Sequence, residues 1–285
     1  DYQLDNFEKP QHGHWSCYVL GVIEELRILR LVPHGFDAVI DGNLNLGAGL
    51  SSSAALEIAT ALALQSLLGF DMSRVDIATL CQRVEHRYAN VMCGIMDQFA
   101  SVLGRPNHAL LLDCRTLSYV NIPAHLDEYR FVIISSEVKR ELASSAFNDR
   151  RLQCEEGVAL FRQYDPTIAS LRDVTPDLFG AYGDRLSEVT IRRCRHVITE
   201  NARVLDASAA LAAGELLQFG RLMTASHNSL RDDFEVSCDE LDCLVEIANC
   251  TEGVLGSRMT GAGFGGCTVT LTHKDALEAL KPGLL

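Results

Sequence analysis

From Gly35 to Gly42 polar and apolar residues alternate, with Phe36, Ala38 and Ile40 on one side, which predicts a half-buried strand. A glycine-rich turn follows, and Ser53 to Leu68 is then an Ala/Leu run ending at Gly69. Apolar on nearly every side, it predicts a buried helix with a glycine near its C-cap. Ser73 to Tyr88 is amphipathic, with Ile77, Leu80, Cys81, Val84 and Tyr88 on one stripe and a capping-box pattern at Ser73 and Asp76. Ala109 to Leu112 and Tyr129 to Ile134 read as short strands. From about Glu141 the period changes to that of helices, the longest being Glu188 to Ala213 and Leu216 to Ser229. Ser237 and Glu240 resemble a capping box opening a helix with Leu241, Leu244, Val245 and Ala248 on one face. Arg258 to Thr260 and Thr268 to Leu271 read as strands around a second glycine-rich turn. Strands and helices, then helices, then strands make an α+β chain rather than a βαβ alternation. A boundary near residue 140 gives domains 1–140 and 141–285.

Composition narrows the function classes. The 285 residues carry a formal net charge of −13, with 47% apolar and 22% charged residues. Such a chain is expected to bind neither nucleic acid, which needs Lys/Arg to displace counterions, nor an anionic membrane. No apolar run approaches the roughly 20 residues of a membrane span, and no signal-peptide pattern is visible. Ten cysteines without a CxxC pair predict free thiols in a reducing cytoplasm rather than a zinc ribbon. A start on Asp1 rather than Met is expected of a processed chain or a fragment.

Four segments carry candidate chemistry. Gly47-Ala48-Gly49-Leu50-Ser51-Ser52-Ser53 lies between the predicted strand and the buried helix. Two glycines let the backbone pass close to a phosphate, the free amides of the helix start point at it, and a serine hydroxyl can ligate Mg²⁺. The alternative is plain helix capping, for which one serine suffices. It is not a Walker A loop, because the required Lys is absent. In Cys93-Gly94-Ile95-Met96-Asp97-Gln98, Asp97 stands among small and apolar residues, where it could take a proton from a substrate hydroxyl or cap the next helix. Glu85, on the edge of the amphipathic stripe, could complete Mg²⁺ coordination or simply be solvated. Gly261, Gly263, Gly265 and Gly266 in RMTGAGFGGC permit unusual backbone angles; a tight hairpin would need fewer glycines.

In this order, GAGLSSSA, GIMDQ and RMTGAGFGGC resemble the GHMP small-molecule kinase superfamily. HWSCYVLGV, SSEVKRELASSAFNDRRLQCE, RRCRHVITENARV and SHNSLRDDFEVS make the chain similar to the galactokinase family within it. The resemblance covers essentially the whole chain. It implies a two-domain fold, with an N-terminal domain like the second domain of ribosomal protein S5 and a ferredoxin-like C-terminal domain. It further implies transfer of phosphate from ATP to the anomeric hydroxyl of D-galactose, by a cytoplasmic protein expected to be a monomer. On that resemblance Gly47 to Ser53 would wrap the ATP phosphates, Trp15 would lie near the adenine, and Ser53 and Glu85 would hold Mg²⁺. Asp97 would be the base, with Gly94, Asp97 and Phe147 at the sugar. The glycines of RMTGAGFGGC would form a loop closing over the site. A non-catalytic sensor of galactose and ATP, an inactive fragment and another GHMP sugar kinase are the alternatives.

Against the family pattern, a GEHxDY-type first motif is not in the sequence, and the last helix and strand are expected to run past Leu285. An incomplete sugar pocket is the expectation for this chain. Phe147 stands where the family usually has Tyr, and loss of one neutral hydrogen bond costs about 0.5–1.5 kcal/mol. Asn45 replaces the usual Pro before the phosphate loop, which predicts a less rigid turn.

Overall fold

The computed structural model describes residues 14–31, 35–44, 50–138 and 143–284. They divide into two compact units, with the break between Ile122 and Pro123. The sequence suggests 140/141; the strand at 129–135 pairs within the second unit. Helices and antiparallel strands mix in the α+β manner the sequence predicts.

The first unit is built on helices α1 (Ser16–Ile28), α2 (Ser52–Leu68), α3 (Arg74–Val84) and α4 (Met96–Leu103), followed by strands β1 (His108–Leu112) and β2 (Tyr119–Pro123), which pair with each other. Gly69 ends α2 in the left-handed conformation (φ 69°), donating its amide to the Gln65 carbonyl, as the Ala/Leu run predicts. Ser73 caps α3, accepting from the Asp76 amide at 3.1 Å and donating to Asp76 Oδ2 at 2.6 Å. The core is formed by Leu20, Ile23 and Leu26 of α1, Ile58, Ala61 and Leu64 of α2, and Ile77, Leu80, Cys81 and Val84 of α3. Burying such aliphatic side chains contributes roughly 1.5–3 kcal/mol each. Gly21 lets α1 lie against α3, since a Cβ there would come 2.5 Å from Val84 Cγ1.

The expected strand at Gly35 to Gly42 is not one. Residues 35–44 are irregular, with Val39 97% exposed. Alternation makes a strand only where a neighbouring backbone completes the ladder, and among the described residues none does.

The second unit runs through β3 (Tyr129–Ser135), α5 (Ala143–Phe161), α6 (Pro176–Tyr182), α7 (Glu188–Ala212), α8 (Leu216–Ser229), α9 (Asp239–Cys250), β4 (Val254–Met259), β5 (Cys267–His273) and α10 (Leu277–Leu284). The sheet order is β3-β5-β4, antiparallel throughout, in register from Tyr129–His273 to Ser135–Cys267 and at Met259–Thr268. Central β5 is almost wholly buried. Helix α8 packs on β4 at a register shift between Val254 and Gly256, backbone against backbone: a Cβ on Gly220 would overlap the Leu255 carbonyl, and one on Gly256 the Gly220 carbonyl. The capping box expected at Ser237 and Glu240 does not form. Helix α9 begins after Cys238, and the Ser237 hydroxyl donates to Asp242 Oδ1 instead. Leu241, Val245 and Ala248 are buried as expected. Among the described residues no helix is long and apolar enough to cross a membrane.

Candidate active site

Three of the residues singled out in the sequence lie together in the first unit. Ser53 sits in the first turn of α2, Glu85 opens a π turn (Glu85–Ala89) that continues α3, and Asp97 is in the first turn of α4. Glu25 of α1 anchors this arrangement. Its buried carboxylate takes Arg83 Nε at 2.9 Å and Arg87 Nη1 at 2.9 Å, one partner on each side of Glu85. Asn90 then turns left-handed (φ 55°) and ends the π turn.

The serines at the start of α2 are not spent on capping. Ser51 is the N-cap residue, in left-handed conformation (φ 57°), and its side chain makes no cap hydrogen bond. The orphan amides of a helix start, with the positive end of its dipole, favour an anion there.

Glu85 is buried, and burial pushes its proton affinity up. A hydrogen bond from the Ser53 hydroxyl lowers it again and the Asp97 charge adds to the rise. One turn along α2 from Ser53, Glu57 is fully buried, and its carboxyl is pushed up to about 9 by burial first and by the charge of Glu85 second. Gln98 offsets this in part, but neither Glu57 oxygen has a partner in hydrogen-bond geometry. Glu85 Oε2 and Gln98 Oε1 are likewise buried without a partner among the described residues.

This chemistry fits a hard cation. Glu85 has one oxygen held by a hydroxyl and another unpartnered, in a place where positive charge would relieve two carboxyl groups. Among the described residues no group of three or more His, Cys, Asp or Glu side chains could hold a metal. Mg²⁺ needs no such cage, because it takes one or two carboxylates and completes its shell with water and phosphate.

Asp97 does not cap its helix. The N-cap of α4 is Ile95, and Asp97 stands one residue inside, half-buried, where the helix dipole favours a carboxylate. The approach to it is pinned: the Cys93 carbonyl accepts from Gln82 Nε2 at 3.2 Å and pairs with His86 Nε2 at 2.9 Å. Buried Phe99 and Leu103 fix α4 in the core. Gly94 is exposed, with open space around a would-be Cβ. Trp15 precedes α1 and is 53% exposed.

The second glycine-rich segment lies in the second unit. Gly261, Gly263, Gly265 and Gly266 all have positive φ, from 77° to 125°, and Phe264 joins them at 59°. Consecutive left-handed residues make a non-glycine loop unaffordable here. The loop is stitched down by Phe264 N–H to the Val236 carbonyl at 2.7 Å and by Ser136 N–H to the Gly266 carbonyl at 2.8 Å.

Of the remaining expectations, Gly47, Ala48, Gly49 and Asn45 lie outside the described residues, as does the side chain of Phe147, which belongs to α5. Leu50 and Ser52 are half-buried beside Ser51 and Ser53. Sequence reasoning did not single out Glu57 and Gln98. The signal for Glu57 was present: it is the lone charged residue in SSAALEIATALALQSLL. A cavity of about 430 Å³ near Cys154, Val158 and Leu171 is lined by second-unit residues and contains none of the predicted ones.

The chain matches the family described as GHMP kinases N terminal domain over residues 17–105 and GHMP kinases C terminal over residues 207–284. It is 43% identical over 283 residues to the galactokinase of Roseiflexus sp. (strain RS-1), covering 99% of this chain and 72% of that protein. It is 44% identical over 268 residues to the galactokinase of Halalkalibacterium halodurans, covering 94% and 68%. The structure superimposes on that of Lactococcus lactis galactokinase complexed with galactose with a TM-score of 0.90 at 38% identity, over 99% of this chain and 73% of that one. The Methanococcus jannaschii mevalonate kinase shares the fold at a TM-score of 0.66 and 21% identity, over 99% and 75%. Motif order, two-unit architecture and these identities agree, and the chain belongs to the galactokinase family of the GHMP kinases.

Proposed function

We propose that the protein phosphorylates D-galactose at its anomeric hydroxyl with ATP, giving galactose 1-phosphate. The observation that carries this reading is the identity of 43–44% to galactokinases across nearly the whole chain. Agreement with a galactose-complexed relative supports it.

In our reading the residues divide the work as follows. The Gly47–Ser53 segment and the first amides of α2 receive the ATP phosphates, with Trp15 beside the adenine. The Ser53 hydroxyl and the Glu85 carboxylate hold Mg²⁺, which when bound neutralises charge on the phosphates. Asp97 accepts the proton of the anomeric hydroxyl as the sugar oxygen attacks phosphorus. Gly94 leaves room beside Asp97, and Phe147 contributes a ring without a hydroxyl to the sugar side. The grouping of Ser53, Glu85 and Asp97 and the unpartnered Glu85 oxygen support these roles.

The test is ADP release, coupled to a spectrophotometric readout, across a panel of hexoses and mevalonate. Turnover with galactose is expected. Turnover with mevalonate and no hexose would overturn the proposal.

A further inference from the structure

We infer that Glu235 is a positioning residue for the glycine-rich Gly261–Gly266 loop, acting through the main chain of Val236. The inference rests on the reading that this loop serves the phosphoryl transfer.

Glu235 follows a π turn (Leu230–Phe234) at the end of α8 and takes a left-handed conformation, φ 53° and ψ 52°. A non-glycine residue held there stores about 1 kcal/mol or more and persists only when its surroundings enforce it. Three arginines supply the enforcement. Arg192 Nη1 reaches Glu235 Oε1 at 2.8 Å and Arg193 Nη2 pairs with Oε2. Arg150 donates from Nη2 to the Glu235 carbonyl at 2.9 Å and from Nε to the Phe234 carbonyl at 2.6 Å. Arg193 is itself buried, bound to Gln153 Oε1 at 2.9 Å and to the Asp233 carbonyl at 2.5 Å. A buried guanidinium with several hydrogen-bonded acceptors, carboxylate included, is a rigid anchor.

The next residue shows what the anchor holds. Val236 is buried with Leu230, Leu241 and Met259, and its carbonyl accepts the Phe264 amide at 2.7 Å. The same carbonyl lies so close to Gly263 that a Cβ there would overlap it. The middle of the loop is therefore shaped on one oxygen, and the direction of that oxygen follows from the dihedrals of Glu235. An ion pair serving stability alone would not need to bend the chain left-handed immediately before the carbonyl that receives the loop.

The experiment compares E235Q with G263A by steady-state kinetics and by hydrogen exchange of the Phe264 amide, on protein shown folded by circular dichroism. E235Q is expected to lower kcat/KM about tenfold and to speed exchange at Phe264, with the amides of α2 and α4 unchanged. Faster exchange at wild-type kcat/KM, or no change in exchange, would overturn the inference. G263A sets the loop itself against the Val236 carbonyl. Impaired G263A with wild-type E235Q would overturn the role of Glu235 alone, whereas wild-type kinetics in G263A would overturn the loop reading and the inference with it. Should E235Q not fold, R192A removes a single arm of the clamp, and the same two readouts decide in the same way.

Discussion

Glu57 and Glu85 are two carboxyl groups buried together, and after burial the charge of Glu85 is what most raises the proton affinity of Glu57. Two like charges in such a space do not both ionise without a compensating cation. The site is thus predisposed to take up positive charge, as a proton or as a metal ion.

A stability consequence follows for Glu57. Its folded value of about 9 lies far above the ordinary 4.5, so the native state holds a proton that the unfolded chain releases. Its stabilising contribution is complete below about pH 4.5 and is lost as pH rises towards about 9. The slope approaches about 1.4 kcal/mol per pH unit at most. Glu57→Gln should flatten this decline. Trp15, the single tryptophan, lies in the same unit, so fluorescence-detected urea unfolding at a series of pH values measures it. Parallel pH slopes in both proteins would refute the prediction.

His196 predicts the opposite dependence in the second unit. Burial, then the nearby Arg203 charge, pushes its imidazole down to about 4, while Nδ1 pairs with Ser229 Oγ at 3.0 Å and the ring stacks on Phe234. The unfolded chain protonates first, so stability is full above about pH 6.5 and is lost as pH falls towards about 4. At most about 3 kcal/mol is involved. His196→Asn should reduce that acid sensitivity, read by residue-resolved hydrogen exchange in α7 across this range.

For the reaction, Asp97→Ala should lower kcat by about 10²–10⁴-fold with nucleotide affinity little changed, as expected when proton transfer alone is removed. Coupled ADP release gives kcat, and titration with a fluorescent nucleotide gives affinity. Wild-type turnover would remove Asp97 from the base role.

Gly256→Ala should destabilise the second unit by about 1–3 kcal/mol, because the new methyl meets a helix backbone rather than a movable side chain. Thermal unfolding followed by circular dichroism is the measurement; an unchanged midpoint would contradict the close packing of α8 on β4.

Much of this was legible in the chain, for identifiable reasons. The Ala/Leu run with Gly69, the Ser73 cap, helices α7 and α8 and the glycine-rich turn between β4 and β5 are written in local chemistry, and local chemistry decides them. Helix α1 was missed because CYVLGVIEEL is apolar without a clear period, and its placement is settled by packing on α2 and α3. The pattern at Gly35 to Gly42 misled because a strand is a property of pairs of segments. Both π turns escaped notice, since the residue that ends each, Asn90 or Glu235, takes its left-handed angle within a tertiary setting. In the site, Ser53, Glu85 and Asp97 were found through motif order, whereas Glu57 and Gln98 become visible only when burial and neighbours are known.

The backbone contact between Gly220 and Gly256 constrains more than stability. Each glycine is closed to a larger residue by the carbonyl of, or next to, the other. Neither position can change first, and no compensating change elsewhere in a side chain can open the gap. Helix α8 is consequently held at a fixed standoff from β4, and Gly220 sits about 15 Å of helix upstream of the turn that leads to Glu235. The seam between helix and sheet is thus set by main chain on both sides, and any side chain larger than hydrogen at either glycine has to push α8 away from β4.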